Sequence, residues 1–322
     1  MNNFVKLNEA WVRVMRCPAC HAPVESLDRA LRCTQGTCMT VFPIVNECPV
    51  VLNEHSSVFR NEDFIAQQNL FFDLHPSGLR NFLKRQLPRI DRNLKADANL
   101  LRLAKMLADR VEPPKVLVLG GSILGDGMNI IASAPRIELL ETDVSFGPRT
   151  RLICDAHDIP FVDLTFDAVI LQAVLEHVAD PQRCVEECYR VLKPDGLIYA
   201  ETPFMQQVHG GRYDFTRFTL LGHRRLFRRF DEIDAGAVGG PGMALAWSYK
   251  YFLGSFTSSR RTRQLTTAFA AYTSFILKYF DRYLIDRPGA LDAALGFFFL
   301  GCKSNTVLSD RDLVAQYKGL LQ

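Results

Sequence analysis

The chain has 322 residues, 48% of them hydrophobic and 23% charged, with a formal net charge of +3, which suits a globular protein with one large domain and something smaller beside it. That charge makes no case for nucleic acid, no stretch reaches the roughly 18 uninterrupted apolar residues of a membrane span, and the opening MNNFVKLNEAW lacks a signal peptide's apolar core, so the expected compartment is the cytoplasm. Nine cysteines are present and four of them fall within 22 positions near the start, a clustering that in a reducing compartment points to metal rather than disulfides.

Those four open the chain's first expected element. Cys17-Pro18-Ala19-Cys20 is a C-x2-C knuckle, and Cys33 and Cys38 form a second pair with four residues between them. Four thiolates spaced this way can surround a tetrahedral Zn2+ ion, with the intervening residues forming a hairpin. A segment of about 40 residues cannot bury enough apolar surface to fold alone, so metal binding would also be its folding energy. Cys48 and His21 are alternative ligands with poorer spacing. The paired knuckles followed by VFPIVNECPVVL at 41–52 resemble the small zinc-ribbon proteins that act as activator subunits of tRNA and translation-factor methyltransferases. The resemblance implies a zinc ribbon, here over residues 1–55 and fused to whatever follows. Residues 11–53 carry Arg13, Arg16, Arg29 and Arg32 against Glu25, Asp28 and Glu47, too even a balance for a nucleic-acid surface. A structural or docking role is expected instead.

Residues 56–114 have mixed charge and little sign of a separate core, and are expected to form a helical linker or cap. Phe71, Phe72 and Phe82 are expected contacts with the next domain. Leu100, Leu103 and Leu107 lie at helical spacing and end at Pro113-Pro114, which blocks continuation; this helix should cover one face of a sheet.

The sheet begins at Val116. Val116 to Leu119 is an apolar run without alternation, the pattern of a parallel strand buried on both faces, and Gly120, Gly121 and Gly125 follow it, where a missing Cβ lets backbone approach a ligand. A second strand, ending in Asp143, places a carboxylate where it can accept both hydroxyls of a ribose. FDAVILQAVLEHV and VLKPDGLIYAETPF then supply two more apolar runs, with a helix and a helix-stopping turn between them. In this order the pieces resemble class I S-adenosylmethionine-dependent methyltransferases, including the quinone-biosynthesis enzymes. The dinucleotide fingerprint G-x-G-x-x-G does not fit, because Ser122 stands where its second glycine should be. The resemblance implies that Gly120, Gly121, Ser122, Gly125, Asp143 and its neighbour Val144, Asp155 and its neighbour Ala156, and Gln172 hold S-adenosyl-L-methionine, with Asp155 receiving the adenine amino group. Two positions depart from the family pattern, Val118 at the usual acidic position of the first strand and Ser122 in place of a glycine.

Ligands of open parallel sheets collect outside the carboxyl ends of the strands, where Gln172, Ala173 and the 201–204 stretch should point. Glu176 and His177 are expected to open a helix and cap it. Cys184, Val185, Cys188, Tyr189 and Leu192 repeat at helical spacing and read as core. The segment ETPFMQQVHGGRYDFTRFT at 201–219 is dense in His, Tyr, Asp and Arg for a loop, and loops on a rigid scaffold carry function. It is similar to the corresponding segment of methyltransferases of polysaccharide and lipid-glycan biosynthesis. His209 is the candidate base for a hydroxyl acceptor, with Tyr213, Asp214 and Arg217 as positioning groups; Asp214 and Arg217, three apart, could instead pair with each other and hold the loop.

Between Gly242 and Gly289 two aromatic-rich helical stretches, linked by Arg260, Arg261 and Arg263, form an insertion: a helical cap or homodimer contact, or an interfacial face that would touch the inner side of a membrane peripherally. Gly296 to Leu300 then reads as the last strand, an antiparallel edge. The expected architecture is α/β: a doubly wound, seven-stranded Rossmann-like methyltransferase sheet over 115–306 with the helical insertion at 242–289, the zinc ribbon before it and a C-terminal tail at 307–322. The expected function is methyl transfer to a small or glycan-like acceptor at oxygen. Alternatives are a quinone or lipid carbon methyltransferase, a tRNA or protein methyltransferase with a built-in activator, and, from another class, a catalytically silent cofactor-binding scaffold.

Overall fold

The computed structural model describes residues 7–66 and 87–320, so the expectations on Phe71, Phe72 and Phe82 lie outside the described residues. Turn residues shape the first part. After a short helix α1 (Glu9–Arg13), capped by the Asn8 side chain, come the strands β1 (Val24–Ser26), β2 (Ala30–Cys33), β3 (Val41–Val45) and β4 (Cys48–Val51). β3 and β4 are joined by Asn46 and Glu47, both at positive φ, the conformation of a two-residue hairpin whose twist suits its strands.

β4 does not stop at its hairpin partner. It runs parallel to β7 (Leu152–Cys154), with Val50 opposite Ile153 and Val51 opposite Cys154. Helix α2 (Asn61–Ile65) and helix α3 (Ala96–Ala108) precede β5 (Lys115–Leu119), which is followed by α4 (Asn129–Ala132), β6 (Glu138–Asp143) and β7, then β8 (Phe166–Gln172), α5 (Pro181–Val191) and β9 (Leu192–Pro203). The strand order is β1-β2-β3-β4-β7-β6-β5-β8-β9-β11-β10, an eleven-stranded sheet. Seven of the eleven lie within residues 115–306, and the sheet extends past the expected seven: the strands of the cysteine-bearing segment continue it, because β4 offers an apolar, fully buried edge (Cys48 to Val51) that can only be satisfied by a neighbour on its second side.

The order reverses at β5, with β6 on one side and β8 on the other, which makes the carboxyl ends of these strands the natural binding edge. Helices cover both faces. Leu100, Leu103 and Leu107 of α3 pack on Val116, Val118, Ala168 and Ile170, while Cys184, Val185 and Cys188 of α5 pack on the other face with Leu117, Leu119 and Val169, joined by Trp11 and Met15 from the N-terminal segment.

The C-terminal third holds α6 (Leu220–Leu226), β10 (Phe230–Gly239), α7 (Pro241–Gly254), α8 (Arg260–Ser274), α9 (Leu277–Leu284), α10 (Pro288–Leu291), β11 (Gly296–Lys303) and α11 (Asp310–Ala315). Three expectations change here. β11 is antiparallel, as read, but it lies between β9 and β10, and the edge is β10. Six consecutive buried residues from Gly296 to Gly301 need strands on both sides, whereas Asp231, Glu232 and Asp234 of β10 suit an edge. The second aromatic stretch breaks into α8 and α9 at Phe275-Ile276. Arg260, Arg261 and Arg263 belong to the first turn of α8 rather than to a linker. Phe252, Phe256, Phe269, Phe280 and Tyr283 of the insertion are exposed, and no helix among the described residues is long and apolar enough to cross a membrane.

Candidate functional site at the carboxyl ends of the parallel strands

The glycine turn leaves β5 through Gly120 at φ +72°, where an added Cβ would also fall 2.6 Å from Val174 Cγ2; only glycine adopts this conformation without strain. Gly120, Gly121, Gly125 and Gln172 line a small cavity of about 40 Å³ beside Glu141 and Met128. Ser122 is buried, and its backbone N–H donates to Asp143 Oδ2 at 2.9 Å. The expected turn and the expected acidic strand end are thus in direct contact. Burial pushes the Asp143 carboxyl above its ordinary value, with the Ser122 bond pulling the other way. Val144, the next residue, packs against the cluster of Phe59, Phe64 and Ile153.

Asp155 follows β7 and is buried with Ala156. Its Oδ1 accepts from the His157 backbone N–H at 3.0 Å and meets His157 Nδ1 at 2.6 Å, and its Oδ2 accepts the Ser57 hydroxyl at 2.6 Å. Burial alone would raise this carboxyl, but the His157 partnership outweighs it and the carboxyl titrates below its usual range. Gln172 donates to the Asp126 carbonyl at 3.1 Å.

Next to the glycine turn, over the ends of β8 and β9, lies a larger cavity of about 190 Å³ lined by Arg89, Arg92, Asn93, Glu176, Glu201 and Gln206 among others. Glu201 receives the Tyr199 hydroxyl at 2.5 Å, and Tyr199 in turn accepts from Asn99. Burial raises the Glu201 carboxyl despite these donors. Arg89, Arg92 and Asn93 went unnoticed in the sequence, since nothing in a mixed-charge segment marks which of its residues turn toward the sheet.

An ion pair clamps the loop after β9. Asp214 accepts the backbone N–H groups of His209 at 2.8 Å and Gly210 at 3.0 Å, and it pairs with both terminal nitrogens of the Arg217 guanidinium, Nη2 at 2.9 Å. Arg217 also donates to the carbonyls of Gln206 and Gln207. Although Asp214's burial opposes its charge, Arg217 and the two amides hold its carboxyl far below the carboxylate range. Of the two readings for this pair, the loop clamp is what the geometry displays. The Tyr213 ring lies 5.5 Å from that of Phe59, so it is the backbone carbonyl of Tyr213 that reaches the site, meeting His177 Nδ1 at 2.8 Å.

His209 is brought beside two residues from the turn after β8. Its Nε2 lies 3.6 Å from Glu176 Oε1, its ring stands edge-on to His177 with centroids 5.0 Å apart, and its Nδ1 faces the Gln207 carbonyl at 3.3 Å. Burial would push its imidazole down, but the Glu176 carboxylate overrides this and the group titrates above its ordinary value. Glu176 and His177 do not open a helix, contrary to expectation: α5 starts at Pro181 with Asp180 as its cap, accepting from the Arg183 N–H at 3.1 Å. An Asp-Pro pair is the stronger start signal, and heeding it would have left Glu176 and His177 in the binding loop.

The cysteines expected to bind metal converge. Ligand atoms of Cys17, Cys20, Cys33 and Cys38 all lie within 4.8 Å of one another, with Sγ separations of 3.8 Å for Cys17 and Cys38 and 3.3 Å for Cys20 and Cys33. Zinc–sulfur bonds of about 2.3 Å place tetrahedral sulfurs about 3.8 Å apart, so the donor set and its spacing fit the ion. Neither Cys48 nor His21 belongs to the group.

Residues 129–200 match the model of a methyltransferase domain family. Among curated relatives, a demethylmenaquinone methyltransferase of Symbiobacterium thermophilum is 31% identical over 97 residues, 29% of this chain and 35% of that protein. A ubiquinone/menaquinone biosynthesis C-methyltransferase of Desulfotalea psychrophila is 48% identical over 44 residues, 14% of this chain and 18% of that protein. The matches to such relatives span between 16% and 43% of the relatives' own lengths. A solved Haemonchus contortus phosphoethanolamine N-methyltransferase 2 in complex with S-adenosyl-L-methionine is 17% identical, covering 73% of this chain and 62% of that one with a TM-score of 0.41. Over residues 129–200 the chain is thus similar to a methyltransferase domain, and the relatives named here are methyltransferases.

Proposed function

We propose that the chain transfers a methyl group from S-adenosylmethionine to a hydroxyl of a small or glycan-like acceptor. The observation that carries this reading is the contact of Ser122, in the glycine turn after β5, with Asp143, at the end of the neighbouring β6, on the edge where strand order reverses. A carboxylate has about four acceptor sites, so Asp143 can hold the turn and still accept ribose hydroxyls. When bound, the sulfonium supplies an activated methyl carbon with its leaving group attached, and the chain's own task is alignment and exclusion of water.

For that task Gly120, Gly121, Ser122, Gly125 and Gln172 form the cofactor's bed, and Asp155 with Ala156 lies at its adenine end. The acceptor takes the neighbouring cavity, whose Arg89, Arg92, Asn93 and Glu201 offer donors and acceptors to a polyol. The Asp214–Arg217 clamp presents His209 beside Glu176, and these two face the place where the acceptor hydroxyl loses its proton. Cys17, Cys20, Cys33 and Cys38 hold a structural zinc ion. The ribbon of 1–55 and the domain of 115–306 are then joined through β4 and β7, with the exposed aromatics of 242–289 left as a surface for a second copy or a membrane.

The relatives' names favour a second reading, carbon methylation of a quinone ring. Against it, an isoprenoid quinone would have to bury apolar carbon beside Arg89, Arg92, Glu176 and Glu201, which costs their solvation. Incubation with methyl-labelled S-adenosylmethionine and panels of hydroxylated glycans and demethylated quinones tests the choice. Label in a methyl ether supports the proposal; label only on a quinone ring carbon replaces it with the second reading.

A further inference from the structure

We infer that Glu176, His177 and His209 form a second metal site, one that binds a divalent cation in the wall of the acceptor cavity. Three observations carry it, independent of the cysteine cluster at the other end of the chain. First, the ligating atoms of the three side chains lie within 4.8 Å of one another, and both imidazole Nε2 atoms face the same carboxylate oxygen: His177 Nε2 is 3.8 Å and His209 Nε2 3.6 Å from Glu176 Oε1. These separations are a few tenths of an ångström wider than those around an ion with bonds of about 2.0–2.1 Å, a gap that rotation of side chains closes.

Second, Glu176 is fully buried, and neither carboxylate oxygen has a hydrogen-bond partner. A buried carboxylate left this way costs several kcal/mol in general, and groups of this kind are held in place by a counter-charge. Two imidazoles face it through Nε2. His177 Nδ1 meets the Tyr213 carbonyl at 2.8 Å and His209 Nδ1 the Gln207 carbonyl at 3.3 Å. A carbonyl can only accept, so each Nδ1 donates to its carbonyl and Nε2 is the ring nitrogen left facing Glu176, the one that ligates once it is free of its proton. This is the outer-shell arrangement that orients histidine ligands in metal sites.

Third, the backbone is shaped to bring the rings there. An added Cβ at Gly210 would lie 2.3 Å from His177 Cε1 and 2.5 Å from its Nδ1, so the loop approaches His177 as closely as glycine permits. The Glu176 carbonyl receives the Phe215 N–H at 2.7 Å, tying the same loop down on the other side.

Two neutral imidazoles and one carboxylate suit Mn2+, Fe2+, Co2+ or Zn2+. Three protein ligands leave coordination positions open, and Glu176 lines the acceptor cavity, so a hydroxyl of the acceptor can enter. Resting here on the methyltransferase reading, the role is acceptor activation: a metal-bound hydroxyl loses its proton to water more readily, its oxygen bonds to the methyl carbon, and the carbon–sulfur bond breaks with its electron pair left on sulfur.

The test uses the full chain with its cysteine site loaded with zinc, titrated with Mn2+, an ion that competes poorly for thiolates, while electron paramagnetic resonance follows the free ion. One equivalent of Mn2+ should bind, and His209→Ala, a change at a partly exposed loop position, should weaken it at least ~10- to 100-fold with the melting curve retained. Glu176→Gln should do the same, and Glu176→Asp should restore part of the affinity. Absence of Mn2+ binding at millimolar concentration, or wild-type affinity in His209→Ala, overturns the site. Calorimetry with S-adenosylmethionine on the same samples separates the two ideas. His209-dependent Mn2+ binding without cofactor binding would retain the metal site and refute the methyltransferase reading; cofactor binding without Mn2+ would do the reverse.

Discussion

Single residues in this chain were legible where chemistry demands a residue type at a fixed spacing. Cys17, Cys20, Cys33 and Cys38 could be singled out by spacing alone, and Asp143 by its place at the end of an apolar run. The contact of His177 with the Tyr213 carbonyl could not, because the two lie 36 positions apart. His223 was equally silent. It is 2% exposed, packed edge-on against Phe227 with ring centroids 5.1 Å apart, and its Nε2 has no hydrogen-bond partner. Burial pushes its imidazole down to about 3, against an ordinary value of about 6.5. Between those two values the unfolded chain holds the extra proton, so stability rises with pH there and falls as pH drops below about 6.5. From pH 7.5 to pH 5 this one group should remove about 2 kcal/mol. Urea unfolding at the two pH values should show that loss in the wild-type chain and a loss smaller by about that amount in His223→Gln; equal losses would mean that His223 is protonated in the folded state.

At the scale of elements, periodicity and turn signals located the parallel strands and α3 but misjudged junctions. α8 and α9 read as one helix because no Gly or Pro marks the break at Phe275-Ile276. The order of β10 and β11 was missed because a strand's neighbours are set by what both its faces and both its edges need, which the run Phe297 to Leu300 does not state by itself. The insertion is joined by a contact that no local pattern reveals: Asp281 of α9 is fully buried and accepts the backbone N–H groups of Gly242 and Met243, each at 2.8 Å, at the start of α7. It satisfies two of the amides that a helix N-terminus leaves without partners and places negative charge at the positive end of the dipole. Asp281→Ala should lower the unfolding free energy by about 1–3 kcal/mol, read by chemical denaturation, with Asp281→Asn in between because its amide oxygen still accepts. An unchanged midpoint for Asp281→Ala would show that α7 and α9 are held by packing alone.

For the whole molecule, the general class of fold was readable and its extent was not. The parallel pairing of Val50 with Ile153 and Val51 with Cys154 joins positions about a hundred residues apart, and nothing in either short apolar run names its partner. Because of that pairing, metal loss in the ribbon should reach the main sheet. The zinc proposal predicts one equivalent of zinc at the thiolates in the wild-type chain and in Cys48→Ser, loss of that equivalent in Cys33→Ser, and a lower melting temperature for the whole cooperative transition in Cys33→Ser. A zinc content in Cys33→Ser equal to that of the wild-type chain, or a diminished one in Cys48→Ser, would contradict the ligand set.

The central claim, that the strand ends around Ser122 and Asp143 form an S-adenosylmethionine site, is tested most directly by calorimetric titration of the chain with that cofactor and, separately, with NADH. The account predicts one equivalent of S-adenosylmethionine bound, no NADH bound, and affinity weakened in Asp143→Ala by the roughly 1.5–3 kcal/mol of a lost charge-assisted hydrogen bond. NADH binding without S-adenosylmethionine binding, or wild-type cofactor affinity in Asp143→Ala, would contradict it.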